Sequence, residues 1–149
     1  MTVAGPSAED LIGALRAAGL RITRPRVVLC EALADARHEH LTPQTLHERA
    51  QSRLGERIDP STVYRTLEAL TECGAVYHVH LGHGAAVIHL SDLDAHHHLV
   101  CELCDRTVDL PFADVVALTD HIGETHGFVV DSVHFAMVGR CASHDRNEE

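Results

Sequence analysis

Four helical segments lie before residue 75, and two β-rich runs follow at once; this order constrains the fold more than any other feature of the sequence. Ser7 precedes Glu9 and Asp10, and Leu11, Ile12, Leu15 and Ala18 recur at helical spacing up to Gly19, which predicts a capped amphipathic helix. Thr23 opens a second helix with Arg24, Pro25 and Arg26 in its first turn and Val27, Leu29 and Leu33 available for packing. Thr42-Pro43 opens a third, through Leu46 and Ala50 to Leu54, closed by Gly55. Asp59-Pro60 opens a fourth, Ser61 to Leu70, ended by Gly74. Val76 to His80 and Ala85 to Leu90 then flank the turn Leu81-Gly82-His83-Gly84, the pattern of a β-hairpin. Helices two to four with this hairpin predict a winged helix, with helix one as an N-terminal addition.

From Ser91 the composition shifts to Asp and His, which places a boundary near residues 90 to 95. His98 to Cys101, Thr107 to Leu110 and Val133 to Gly139 read as strands, and Ala113 to His126 as a helix stopped by Gly127. The expected fold class is therefore α+β: an N-terminal winged-helix DNA-binding domain over residues 1–90 and a small C-terminal α/β metal-binding dimerisation domain over 91–149. A unit of about 55 residues with so little apolar content needs a metal or a partner copy, so a homodimer is expected. The 45% hydrophobic content excludes the composition of a disordered chain. No run of about 18 apolar residues is present and Met1 to Pro6 lacks the features of a signal peptide, so the expectation is a cytoplasmic protein with no membrane partner.

A formal net charge of −10 argues at first against nucleic acid. Its distribution along the chain argues the other way. Residues 1–75 hold nine basic and ten acidic residues, a net of −1, whereas residues 76–149 hold three basic and twelve acidic, a net of −9. Every basic residue is arginine, and Arg16, Arg21, Arg24 and Arg26 cluster as a phosphate-gripping edge would, although a solvated charged face has the same composition. In a helix-turn-helix the second helix presents its first two turns to the major groove. Ser61, Thr62, Tyr64 and Arg65 fit that demand, with Val63, Leu67 and Leu70 facing inward. Arg65 can donate two bonds to guanine or grip phosphate, Tyr64 can contact a thymine methyl or a phosphate, and Ser61 can bind backbone. An ordinary amphipathic helix would show the same inward stripe.

Five cysteines in a chain without an export signal favour metal binding over a disulfide framework. Cys101-x-x-Cys104 puts two thiols on one tight turn, and Cys141 with His144 repeats the spacing, a donor set suited to structural zinc. The rival, a redox Cys-x-x-Cys, lacks the strand before and the helix after that a thioredoxin motif requires. Cys30 and Cys73 are expected as buried fillers of helical apolar faces. There are 14 histidines, and His78-x-His80 and His96-x-His98 each point two rings to one side of an extended segment, a chelating arrangement. Imidazoles with carboxylates suit Fe, Mn, Co, Ni or Zn, and ligand softness does not choose among them.

The run from Asp59 to Leu67, followed by His96-His97-His98-x-x-Cys101-x-x-Cys104, resembles the ferric uptake regulator family from about Leu11 to Cys141. The resemblance implies a dimeric repressor, not an enzyme, that binds a palindromic double-stranded DNA operator when loaded with metal. It assigns His40, His89, His96, His98 and Asp109 to a regulatory site for Ni2+ or Fe2+, leaves the four Cys/His donors to Zn2+, and makes the turn around Arg24 and Arg26 an auxiliary DNA contact. Tyr77 to Ala85, with His134-Phe135-Ala136 and Gly139-Arg140-Cys141, looks most like the nickel-responsive branch called Nur, whose second site corresponds to His78, His80 and His134. Three departures stand out: Asp94 replaces an expected histidine, Ala95 and Val116 occupy the positions of a further metal site, and Cys141-x-x-His144 replaces a second Cys-x-x-Cys. The alternatives within the family are response to iron, zinc or peroxide. A metallo-hydrolase or redox enzyme is the remote one, since neither H-E-x-x-H nor a nucleophile elbow is present.

Overall fold

The computed structural model describes residues 5–37, 39, 41–80, 85–91, 96–104, 106–130 and 136–144. Its elements are α1 (Ala8–Ala17), α2 (Arg24–Asp35), α3 (Pro43–Leu54), α4 (Pro60–Glu72), β1 (Val76–His80), β2 (Ala86–Leu90), β3 (His96–Cys101), β4 (Thr107–Pro111), α5 (Phe112–His126) and β5 (Ala136–Gly139). They divide between two compact units, Met1–His78 with Ala86–Leu93 and Val79–Ala85 with Asp94–Glu149.

In the first unit local chemistry sets where helices start. The Asp10 N–H donates to Ser7 Oγ at 3.2 Å and the Ser7 N–H donates to the Asp10 carboxylate at 2.8 Å, a reciprocal cap on α1. Thr42 and Thr45 exchange the equivalent bonds at α3, which ends on Gly55 at φ 74°, a left-handed conformation that favours glycine. Leu11 and Leu15 of α1, Leu29 of α2, Leu46 of α3 and Leu70 of α4 are all fully buried in one core. Each contributes about 1.5–3 kcal/mol of hydrophobic stabilisation. β1 and β2 form a two-stranded sheet. The Ile88 N–H donates to the Leu41 carbonyl at 2.7 Å, which ties the segment ahead of α3 to β2. The hairpin turn, residues 81–84, lies outside the described residues.

In the second unit β3 is the central strand of the order β4-β3-β5, antiparallel to β4 and parallel to β5. A parallel neighbour needs a crossover, and β4 with α5 supplies it. Val115 is the buried residue of α5. Leu99 and Val108, paired across β3 and β4, are both exposed, as are Phe128 and Val129. Among the described residues no helix is long and apolar enough to cross a membrane.

Two expectations need correction. β3 begins at His96 rather than His98, because β4 runs on to Pro111 and pairs with it. Cys73 is exposed, not a buried filler: α4 ends at Glu72, so the apolar stripe stops one residue short, and the thiol turns back onto the Leu70 carbonyl at 3.3 Å. Cys30 is fully buried, and burial, with a smaller push from Glu31, raises its thiol to about 12, which makes it inert. The start proposed for the last strand, Val133, lies outside the described residues.

Candidate metal centre and nucleic-acid interface

α4 presents the expected surface. Asp59 caps it by accepting the Ser61 N–H at 2.8 Å, and the Ser61 hydroxyl together with that N–H holds the Asp59 carboxyl below its usual range. Val63, Thr66, Leu67 and Leu70 are buried, whereas Ser61, Tyr64 and Arg65 are exposed and Thr62 is half-buried. Tyr64, at 61% exposure, is a large ring held in water on a helix whose other face is sealed. Near the start of α2, Arg24 extends into solvent within 4.0 Å of Glu56. Arg26 is different: its Nη1 donates to the Arg21 carbonyl at 2.6 Å, so one of its five N–H donors braces the turn.

Four metal donors converge in the second unit. Cys101 ends β3 and Cys104 lies on the turn after it, while Cys141 and His144 lie on the turn after β5; their ligand atoms all fall within 4.8 Å of one another. Parallel pairing of Cys101 with Gly139 brings the two turns side by side. Cys104 Sγ lies 3.8 Å from Cys141 Sγ, and His144 Nδ1 lies 3.8 Å from Cys101 Sγ and 3.0 Å from Cys141 Sγ. A regular tetrahedron with an edge of that longer length has its centre ~2.3 Å from each vertex, the Zn–S distance. The donor set therefore fits zinc, and no other protein group is needed to complete it.

The protonation pattern agrees. N–H groups of Cys141 and Leu103 hold the Cys101 thiol down at about 6. At Cys104 the Arg106 N–H pulls downward, yet burial and the neighbouring thiols of Cys101 and Cys141 leave it raised. The contact with His144 lowers Cys141, and the same contact raises His144. Such a cluster carries thiolate character that a cation can exploit. Sequence reasoning missed a supporting pair: Arg140 Nε donates to Glu102 Oε1 at 2.8 Å, and the Glu102 N–H donates to the Gly139 carbonyl at 2.9 Å. Opposite charges directly beside the first cysteine of each turn were the available signal.

Of the residues expected to form a regulatory site, His98 and Asp109 come together: they face each other in the β3–β4 register, with His98 Nδ1 3.2 Å from Asp109 Oδ1. The imidazole is buried and the carboxylate exposed. His89 is buried on β2, its ring stacked on Tyr77 at 5.4 Å between centroids. His97, on the opposite face of β3 from His98, stacks on Phe112 of α5 at 5.8 Å. His78 is half-buried on β1, His80 follows on the same strand, and His96 begins β3. His40 and His134 lie outside the described residues.

The ferric uptake regulator family matches residues 17–138. The ferric uptake regulation protein of Shigella flexneri is 30% identical over 136 residues, 91% of either chain. Among solved structures, the ferric uptake regulator from Pseudomonas aeruginosa with manganese is 28% identical with a TM-score of 0.68, covering 88% of this chain and 97% of that one. The Vibrio cholerae ferric uptake regulator is also 28% identical, with a TM-score of 0.66 and coverage of 87% and 98%. These likenesses run through both units and agree with the exposed face of α4 and the thiol cluster. The chain belongs to the ferric uptake regulator family and is a metal-responsive transcriptional regulator with a winged-helix DNA-binding domain, not an enzyme.

Proposed function

We propose that this regulator is a nickel-responsive repressor that binds a palindromic operator as a homodimer. The observation that carries the metal-sensing part is the pairing of buried His98 with the Asp109 carboxylate at 3.2 Å, an imidazole and an oxygen donor on adjacent strands. In this reading His40, His89, His96, His98 and Asp109 form the regulatory set. Leu41, which follows His40, bridges Ile88, which precedes His89, and that link supports joint action of the two histidines. His78 and His80, two residues apart on β1, form the second nickel site with His134. Cys101, Cys104, Cys141 and His144 hold structural zinc. Arg24, Arg26, Ser61, Thr62, Tyr64 and Arg65 serve DNA, with Arg26 bracing the turn as well. A second copy covers the apolar groove of about 400 Å3 whose lining includes Leu99, Val108, Met137 and Val138.

These ligands are spread along the sequence from His40 to Asp109, so an ion held by all of them acts as a clamp. If metal favours the DNA-competent arrangement by about 100-fold, the coupling is ~2.7 kcal/mol. The test titrates operator binding with Ni2+, Fe2+, Zn2+ and Mn2+ and measures bound metal on the same samples. Nickel should act at the lowest free concentration; a lower threshold for Fe2+ or Zn2+ would reassign the sensor. A His40→Ala protein that kept full metal-dependent affinity would remove the clamp.

A further inference from the structure

His47 and Gln51 lie one turn apart on α3, so they share a face, and both are half-buried. Both reach the peptide of Ile58. His47 Nε2 lies 2.7 Å from the Ile58 carbonyl oxygen, and the Ile58 N–H donates to Gln51 Oε1 at 3.0 Å. A carbonyl only accepts, so Nε2 carries the proton. Ile58 stands between α3 and α4, outside either helical ladder, and its polar groups need partners there. Its side chain is 1% exposed. The residue is thus held three ways: by the core, by a donor and by an acceptor.

Asp59, the cap of α4, comes next, and Ser61, Tyr64 and Arg65 follow within two turns. α4 has 13 residues and is about 20 Å long, so a small rotation at its start displaces the whole reading surface. Productive site geometry tolerates only about 0.5 Å and 10–20°. We propose that His47 and Gln51 are positioning residues for DNA reading: a two-point clamp on Ile58 that sets the pose of α4 and thereby operator discrimination. The inference rests on the DNA-binding reading of α4 and adds residues that belong neither to the DNA-facing set nor to any metal set.

The test uses the full-length protein loaded with Ni2+, a duplex selected by the wild type from random sequence, and a shuffled duplex as competitor. Anisotropy gives the ratio of the two affinities and its salt slope, thermal melting gives stability, and exchange of the Ile58 amide proton reports the clamp directly. The His47→Ala, Gln51→Ala double variant should lose about 5- to 30-fold in affinity for the selected duplex, as expected for two missing hydrogen bonds, while binding to the shuffled duplex and the salt slope stay unchanged. His47→Gln should restore discrimination, because a glutamine amide nitrogen reaches the position of Nε2. His47→Asn should not, because its amide sits where Nδ1 does. Gln51→Glu keeps the acceptor and should also restore it.

An unchanged affinity ratio in the double variant would overturn the proposal. So would an equal loss on both duplexes that tracks the melting point, or equal behaviour of the Gln and Asn variants at position 47. If the double variant does not fold, the single variants are read by the same ratio. If the wild type selects no duplex with Ni2+, Fe2+, Zn2+ or Mn2+, the DNA-binding reading fails and the proposal falls with it. Fast Ile58 amide exchange confined to the alanine variants would then show that the clamp itself exists, which separates the two failures.

Discussion

Replacing His144 by alanine tests the metal centre at its most unusual position. In the structure Nδ1 of His144 sits 3.0 Å from Cys141 Sγ and 3.8 Å from Cys101 Sγ, so it occupies one vertex of the donor tetrahedron. Its removal leaves three thiolates and an open position, the arrangement of a reactive site rather than a structural one. Loss of a residue that merely orients a ligand costs 10- to 100-fold in metal affinity, so loss of the ligand itself should cost at least about 100-fold. Competition for Zn2+ against a chromophoric chelator measures this, and Co2+ substitution adds a ligand-field spectrum that reports coordination number. His144→Cys puts a thiolate at the same vertex and should keep tight binding with a shifted spectrum. The second unit buries so little apolar side chain that metal loss should also lower its melting transition. A His144→Ala protein that binds Zn2+ within about threefold of wild type, with an unaltered Co2+ spectrum, would refute the four-donor assignment.

Leu15→Ala should destabilise the first unit by about 2–5 kcal/mol in urea denaturation, because the side chain is fully buried beneath α1 and its removal leaves a cavity; a loss below about 1 kcal/mol would detach α1 from the core. Arg65→Ala should weaken binding to a selected duplex by about 5- to 100-fold, and wild-type affinity should fall steeply with salt; a flat salt response in anisotropy would contradict the interface. The Asp10 carboxyl is held below its ordinary 3.8 by hydrogen bonds from Ser7, so its capping contribution is complete above that value and is lost as acid takes the pH down through the folded titration point. NMR titration of Ser7→Ala should show the Asp10 carboxyl moving back up toward 3.8.

The helices of the first unit were legible because their signals are local. Ser7, Thr42 and Asp59 each bond within three residues of themselves, and Gly55 stops α3 in its own conformation. The thiol cluster was legible from two equal spacings, although only the parallel pairing of β3 with β5 makes those spacings meet. What escaped depends on distant partners. The extra residues of β3 exist because β4 extends to Pro111, and the contact of His98 with Asp109 is a matter of register that alternation alone does not set. The position of Cys73 was misread because periodicity continues in a sequence after a helix has ended. Arg26 showed its charge, but its bond to the Arg21 carbonyl is a property of the folded turn. The clamp on Ile58 left no trace at all in the pattern of the sequence.

β3 carries His98, proposed for the regulatory site, and Cys101, proposed as a zinc ligand, on one stretch of backbone. His98 and Cys101 are three residues apart, a span of about 10 Å in an extended strand, and neighbours on both sides leave that span no slack. Adding or deleting one residue there would swing the imidazoles to the other side of the sheet, so changes of length must fall in the turns. On the proposed assignment, damage to the cysteine knuckle is transmitted along the strand as a shift of His98, and the two ion sites are inherited, and fail, as a single piece.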